Sequence, residues 1–488
     1  MNNEVVKLKP NAVWTHFEML NEIPRGSKKE ERVIAFMKSF GEGLGLDTSV
    51  DATGNVLIRK PAFKGFENRK GVVLQSHLDM VHQKNSDSDF NFDTQGIQTY
   101  IDGEWVKAKG TTLGADNGMG VAAIMSILAD NTIEHGPLEA FFTIDEETGM
   151  TGAFGLKGGL LKGDILLNLD SEDEGELYIG CAGGEDSTIT DSYKPASVPS
   201  GHAALKVSLR GLKGGHSGMD IILGRGNANK LINRLLLEIK EKFEIGLASF
   251  DGGSLRNAIP REATVELLML SGDKEKVKSF IKGREDVYKA EFGEIEPALK
   301  IDLAEMELPK GRVPSDYLNS FLWAIDAAPN GVIAMDKEIE GLTETSVNMA
   351  RVLLKDGELK VLFLNRSSVD SRKKALTQQI NSVFSLMGAK EIRHHGSYPG
   401  WEPNPNSAIL EIMKKGYERM FGKVPEVMAI HAGLECGILG QNYPKMDMIS
   451  FGPTIRNPHS PDEKVNIKTV GLFWDYLLDT LKNIPVKE

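Results

Sequence analysis

The sequence predicts an α/β protein: a discontinuous domain with a helix-flanked, mostly parallel sheet, built from both ends of the chain, plus an inserted α+β domain. Three observations lead there. Short apolar runs such as "GVVLQSH", "LEAFFTID" and "DILLNLD" are separated by helical segments in the first third, the pattern of strands buried on both faces. Beyond "SYKPASVPSGH" the strands change to period-two alternation, and after "GSYPGWEPNPNS" the first pattern returns. At 488 residues the chain is also too long for one ordinary core. The expected segments are 1–184 and 399–488 for the discontinuous domain and 185–398 for the inserted one.

Each element has its own signal. "SKKEERVIAFMKSFGEGLG" carries helical spacing and a glycine-rich stop. "GVVLQSH" is a buried strand, "GMGVAAIMSILADN" a helix, and "LEAFFTID" and "DILLNLD" two more strands. The Pro, Ser and Gly residues of "SYKPASVPSGH" mark a boundary. "ALKVSLRG" and "ATVELLML" then alternate as half-buried strands, with the helix "NANKLINRLLLEIKEKF" between them. "ARVLLKDGELKVLFLNRSS" reads as a hairpin turning on Asp356-Gly357. The chain closes with a helix, the strand "MDMISFGP" and the helix "IKTVGLFWDYLLDTLKNI".

Composition removes several classes of function. Hydrophobic residues make up 41% and charged residues 26%, as in a soluble globular protein. A net charge of −12 disfavours nucleic acid or an anionic membrane as partner. No window approaches the ~20 apolar residues of a membrane span, and the N-terminus lacks the basic start and apolar core of a signal peptide. Cys181 and Cys436 lie far apart with no CxxC, which rules out a disulfide framework and favours a reducing, cytoplasmic setting.

The candidate chemistry sits at the ends of the apolar runs. "GVVLQSHLDMV" delivers His77 and Asp79, "LEAFFTIDEE" delivers Glu146 and Glu147, and "DILLNLDSED" delivers Asp170. "TTLGADNGMG" places Asp116 in a glycine-rich turn before a helix, and His459 follows "MDMISFGP". Singly, each has a plainer explanation: a core or loop histidine, a helix cap for Asp116, a turn cap for Asp170. Together they converge, because ligands of an open α/β sheet gather at the carboxyl ends of its strands. Imidazole and carboxylate suit zinc, with cobalt or manganese as the chemical alternatives. Two ions ~3.5–4 Å apart call for a bridging carboxylate. Asp116 is expected to bridge, with His77 and Asp170 on one ion and Glu147 and His459 on the other. Three carboxylates and a hydroxide then balance two divalent ions. In "FFTIDEETGMTG" the run is read as extended, so that neighbouring side chains point apart. Glu147 binds metal while Glu146 remains free as a general base. Asp79 is placed to hold the His77 imidazole.

"SHLDMV", "LGADNGMG", "DEETGMTGA", "NLDSE" and "PHSPDE" resemble the two-zinc peptidases related to aminoacylase and glutamate carboxypeptidase. "IGCAGGEDS", "LKGGHSGMDI", "SYPGWEPNPNS" and "IHAGLECGIL" are similar to the aminoacyl-histidine dipeptidase branch of that group. The resemblance implies a catalytic domain and a lid that also carries the contact of a homodimer. It implies hydrolysis of Xaa-His dipeptides, β-alanyl-histidine among them, by a metal-bridging water activated by Glu146. It assigns His216 to the tetrahedral oxyanion, in its own or the partner subunit's site, and places Asn257 near the substrate. Arg366 takes the substrate's terminal carboxylate, with Arg351 and Arg372 as substitutes. It further implies a non-proline cis peptide after Asp116. The competing readings are an N-acyl amino acid deacylase on the same centre and a non-catalytic peptide-binding relative.

Overall fold

The computed structural model describes residues 2–85 and 88–487. The chain is α/β and separates into two compact units. One comprises the residues up to Gly180, Trp401–Ala429 and those from Leu434 onward; the other comprises Cys181–Gly400 and Ile430–Gly433.

The first unit is organised by an eight-stranded sheet. Its order is Asp47–Val50, Val56–Lys60, Leu138–Thr143, Val72–His77, Ile165–Asn168, Asp447–Ser450, Glu176–Cys181 and Glu426–Ile430. The four central strands run parallel, and the margins are antiparallel. Every residue of Val72–His77, Leu138–Thr143 and Ile165–Asn168 is buried, which accounts for their continuous apolar character. The register sets His77 beside Thr143, Gln75 beside Asn168, and Asn168 beside Ser450. Their carboxyl ends are therefore level, and whatever follows each strand emerges at one edge.

Just inside that edge, polar side chains replace apolar ones and satisfy each other. Gln75 Nε2 donates to Glu435 Oε2 at 2.6 Å, and the Thr143 hydroxyl donates to the same oxygen at 2.6 Å. Asn168 Nδ2 donates to Gln75 Oε1 at 2.5 Å, and the Ser450 hydroxyl to Asn168 Oδ1 at 2.5 Å. Buried polar groups are retained where a network pairs them.

The helix Ala115–Ala129 packs on Val72–His77 and on the helix Asn11–Asn21. It is buried almost all round, as its largely apolar sequence requires. The Lys60 ammonium covers its far end, donating to the carbonyls of Ile127 (2.8 Å), Leu128 (3.2 Å) and Asp130 (2.5 Å), a favourable charge for a helix C-terminus. A small four-stranded sheet completes the unit. In it Ile455–Arg456 pairs with Lys464–Asn466 and the latter with Trp105–Ala108, so residues 457–463 form a loop anchored at both ends.

The second unit carries a nine-stranded sheet running Lys300–Met306, His202–Arg210, Ala263–Leu270, Ile245–Gly253, Thr343–Lys355, Glu358–Ser367, Gly183–Ser192 and Glu391–Tyr398, with Gly331–Met335 as a further edge on Thr343–Lys355. Its core includes Leu235, Phe250, Phe321, Phe363 and Phe384. The hairpin turns on Asp356 and Gly357 at φ 52° and 89°, the two positive values of the turn that matches strand twist.

The close seating of Ala115–Ala129 on the sheet depends on Gly120. A Cβ there would lie 2.5 Å from Ser76 Oγ and 2.6 Å from the Leu169 carbonyl oxygen. Gly120→Ala gains about 1 kcal/mol of helix propensity but meets overpacking of about 1–3 kcal/mol. A net loss of stability is expected in urea unfolding; a raised midpoint would contradict this packing.

Candidate metal centre

His77 ends its strand, 1% exposed, with its two ring nitrogens facing different carboxylates. Nε2 lies 3.2 Å from Asp116 Oδ1 and 3.3 Å from Asp170 Oδ1. Nδ1 lies 3.3 Å from Asp79 Oδ1. Across the site, His459 Nε2 lies 3.2 Å from Asp116 Oδ2 and 2.8 Å from Glu147 Oε2. Asp116 thus turns one oxygen to each imidazole. Three overlapping groups have ligand atoms all within 4.8 Å of one another: His77, Asp116 and Asp170; His77, Glu146 and Glu147; Asp116, Glu147 and His459. The peptide after Asp116 is cis, as the resemblance implied.

The two glutamates reach the site differently from the extended reading. The strand stops at Thr143, Asp145 takes the left-handed conformation at φ 53°, and Glu146–Gly149 forms a short helix. Neighbours in a helix diverge by about 100° rather than alternating, yet each glutamate brings a carboxylate oxygen within 4.8 Å of the other's and of a His77 nitrogen. The cause of the change is Asp79. Its Oδ1 accepts the N–H of Glu146 at 3.0 Å and its Oδ2 the N–H of Glu147 at 3.2 Å, while the Ser27 hydroxyl donates to Oδ2 at 2.8 Å. One buried carboxylate orients the His77 ring and starts the glutamate helix.

The charge balance of this pocket is unsatisfied by protein alone. Burial alone would lower the His77 pKa, but Asp170, Asp116 and Asp79 hold it well above its ordinary value. Asp116 and Glu147 push His459 up to about 11. Burial opposes ionisation of Asp116, yet its contacts with the two histidines hold it below the usual carboxylate range. Asp170 rises to about 6, chiefly by burial, with Asp116 and Glu147 adding repulsion. Burial raises Glu146 well above its usual value, and the neighbouring carboxylates Asp170 and Glu147 add to it. Glu147 Oε1 is buried without a hydrogen-bond partner, and Asp170 Oδ1 has its 3.3 Å contact with the His77 Nε2 that also faces Asp116 but no well-formed hydrogen bond. Orphaned carboxylate oxygens among crowded acids are costly, and divalent cations with this N/O donor set would relieve them. The residues fit such ions.

The remaining candidates lie in the second unit. His216 pairs with Ala258 in a two-residue ladder. Its Nδ1 accepts the N–H groups of Gly218 (3.3 Å) and Met219 (3.0 Å), and burial and Arg366 lower its pKa. The neutral ring therefore carries its proton on Nε2, a ready donor. Asn257 is exposed, and its carbonyl accepts the Ser217 N–H at 2.8 Å. Arg366 is 6% exposed; Nη1 donates to the Tyr398 hydroxyl at 3.2 Å and Nε has no partner. Arg351 is bound to Asp251, and Arg372 to Glu344 at 3.0 Å. Of the three arginines, Arg366 alone makes no ion pair among the described residues, although its charge acts on the Asp186 carboxylate. His431 was missed by sequence reasoning. It is buried, hydrogen-bonds Ser346 Oγ at 2.7 Å and leaves Nδ1 unpartnered. Its signal was its place in "IHAGLECGIL", used there for resemblance alone.

The chain is similar to known proteins over nearly its whole length. The model of peptidase family M20/M25/M40 matches residues 73–483. The cytosol non-specific dipeptidase of Escherichia coli is 45% identical over 99% of this chain and 100% of its own length. The crystal structure of aminoacylhistidine dipeptidase from Vibrio alginolyticus superposes with a TM-score of 0.93 at 48% identity, covering 100% of this chain and 99% of that one. Aminopeptidase PepT from Bacillus cereus shares the fold, with a TM-score of 0.56 at 14% identity over 98% of this chain and 99% of that one.

His431 makes acid stability testable. Burial and the Arg366 charge lower its pKa to about 3. Between that value and the unfolded value of about 6.5, the unfolded state binds the extra proton, so stability rises with pH across the window. Stability is lost as pH falls from 6.5 towards 3. His431→Gln should flatten the fall in unfolding midpoint between pH 7 and pH 4.5; an unchanged slope would show that His431 does not contribute.

Proposed function

The chain belongs to peptidase family M20/M25/M40, and on that footing we propose that it is a two-metal dipeptidase acting on short peptides with a free terminal carboxylate, Xaa-His dipeptides such as β-alanyl-histidine preferred. The observation that carries this reading is the Asp116 carboxylate, whose oxygens each face one imidazole at 3.2 Å. His77, Asp170 and Asp116 would hold one ion, and Asp116, Glu147 and His459 the other, with zinc the first candidate. Bound there, divalent cations would lower the pKa of a water and polarise the scissile carbonyl. Glu146, outside the two ligand sets, accepts the proton of the attacking water and returns it to the leaving amine. Asp79 keeps the His77 ring in its facing orientation. His216, with its proton on Nε2, is the oxyanion donor by resemblance. Arg366, buried and without an ion pair among the described residues, is the partner for the substrate carboxylate, with Asn257 beside the substrate. The unit with the cluster is the catalytic domain and the inserted unit the lid, divided near residues 184 and 398.

Two family properties follow as part of the same reading. The Escherichia coli relative is named a cytosol enzyme, and no helix among the described residues is long and apolar enough to cross a membrane; we assign a cytoplasmic setting. Met219, Ile222, Leu223, Ile333 and Met335 are exposed on the second unit, where the turn Ile221–Leu223 lies against the edge strand Gly331–Met335. An apolar patch beside an unpaired strand edge suits a second copy of the chain.

Glu146→Gln should retain metal and lose about 10²–10⁴-fold in kcat, the range of general acid–base catalysis. Glu147→Ala should lose metal as well. Metal analysis alongside turnover separates the two, and undiminished turnover in Glu146→Gln would refute the base. Parallel assays of β-alanyl-histidine and N-acetyl-histidine distinguish a dipeptidase from a deacylase, since only the former requires a free amine. Leu223→Glu should convert a dimer to a monomer in sedimentation; a monomeric parent would dismiss the second copy.

A further inference from the structure

Two buried polar side chains outside the ligand set grip the backbone on which the ligands stand. Arg25 is 1% exposed and spends its guanidinium on main-chain carbonyls. Nη1 donates to Leu78 and Asp79 at 3.0 Å each, and Nη2 to Gly114 at 2.6 Å. Glu463, 2% exposed, does the converse. Its carboxylate accepts the N–H groups of Leu113 (2.7 Å), Gly114 (3.0 Å), Ala115 (2.7 Å) and Asp116 (3.3 Å). Two oxygens with four lone-pair sites meet four amides.

The turn Leu113–Asp116 is held from both sides, and each gripping residue reaches a second ligand-bearing segment. Arg25 ties it to the residues directly after His77. Glu463 ties it to the loop of His459, which is anchored by the pairing of Ile455–Arg456 with Lys464–Asn466. The fit allows no side chain at Gly114: its φ is 69°, and a Cβ would lie 2.6 Å from Arg25 Nη2. Burial lowers the Arg25 pKa to about 10, so it remains a cation near neutrality. An ionised donor makes hydrogen bonds roughly twice as strong as a neutral one; burial raises the Glu463 pKa to about 7, and its grip rests on the four amide contacts themselves.

We propose that Arg25 and Glu463 are positioning residues that fix the separation of the His77, Asp116 and His459 segments and thereby set the affinity and coordination geometry for divalent cations. This rests on the reading that the cluster holds such ions. The competing account is that Glu463 merely stabilises the helix Ala115–Ala129 from its N-terminus. Lys60 provides the control, since it caps the same helix at the opposite end with three carbonyl contacts and touches none of the ligand segments.

The test uses the full-length chain stripped of metal, with Glu463→Gln, Glu463→Asp and Lys60→Met. Each is titrated with Zn²⁺ against a chromophoric chelator, its visible spectrum is recorded with Co²⁺, and its unfolding midpoint is measured without metal. The Glu463 variants should bind Zn²⁺ about 10–100-fold more weakly, the usual effect of removing a residue that orients ligands, and shift the Co²⁺ bands. Lys60→Met should lower the midpoint while leaving affinity and bands as in the parent. Glu463→Asp, which keeps the charge but withdraws it by one methylene, is decisive should Glu463→Gln not fold. Parent-like affinity in the Glu463 variants overturns the proposal, as does an equal loss of affinity in Lys60→Met. A parent chain that takes up neither ion overturns the metal reading itself.

Discussion

Everything at this site depends on holding like charges together. Asp116, Glu146, Glu147 and Asp170 crowd around two imidazoles in a largely buried pocket, an arrangement that repels itself unless the backbone prevents escape. The parallel register of the four central strands does the first part by making their carboxyl ends level. The polar ladder of Gln75, Thr143, Asn168, Ser450 and Glu435 does the second. It replaces apolar packing at the strand ends with directional bonds, so strand ends cannot slide without breaking several at once. The Arg25 and Glu463 grips extend the same restraint to segments that no strand controls.

Much of this was legible in the sequence because it is local. Continuous apolar runs ending in His77, Glu146 and Asp170 signalled strands that finish at a polar edge, and the edge rule for α/β sheets implied that their ends would meet. The buried helix after Asp116, the Asp356-Gly357 turn and the amphipathic C-terminal helix were all readable from spacing and turn chemistry. The glutamate pair was less so. The helical geometry arises from Asp79, 67 residues earlier in the chain than Glu146, whose carboxylate accepts the N–H groups of Glu146 and Glu147. No window around the pair contains that information.

What remained hidden shares that character. Arg25 and Glu463 act on main-chain atoms of distant segments, and a backbone carbonyl or amide carries no identity that a sequence pattern can display. Glu463 was in view within "PHSPDE", overshadowed by its neighbour His459. His431 likewise lay within a recognised motif, but its partner Ser346 belongs to a strand far away. Arg366 illustrates the converse. Arg366 was preferred by resemblance with Arg351 and Arg372 as substitutes, and the ion pairs of those two with Asp251 and Glu344 are long-range contacts that no sequence window displays.

The order of the segments bears on biosynthesis. The loop that brings His459 and Glu463 follows the inserted unit in the chain, so a ribosome finishes that entire unit before either residue exists. Until then the nascent first unit must carry its acidic residues without the carboxylate that holds the Asp116 turn and without one of the two imidazoles. Assembly of this pocket is thus deferred to the last stage of translation, together with Asp447–Ser450, the strand that completes the central parallel register.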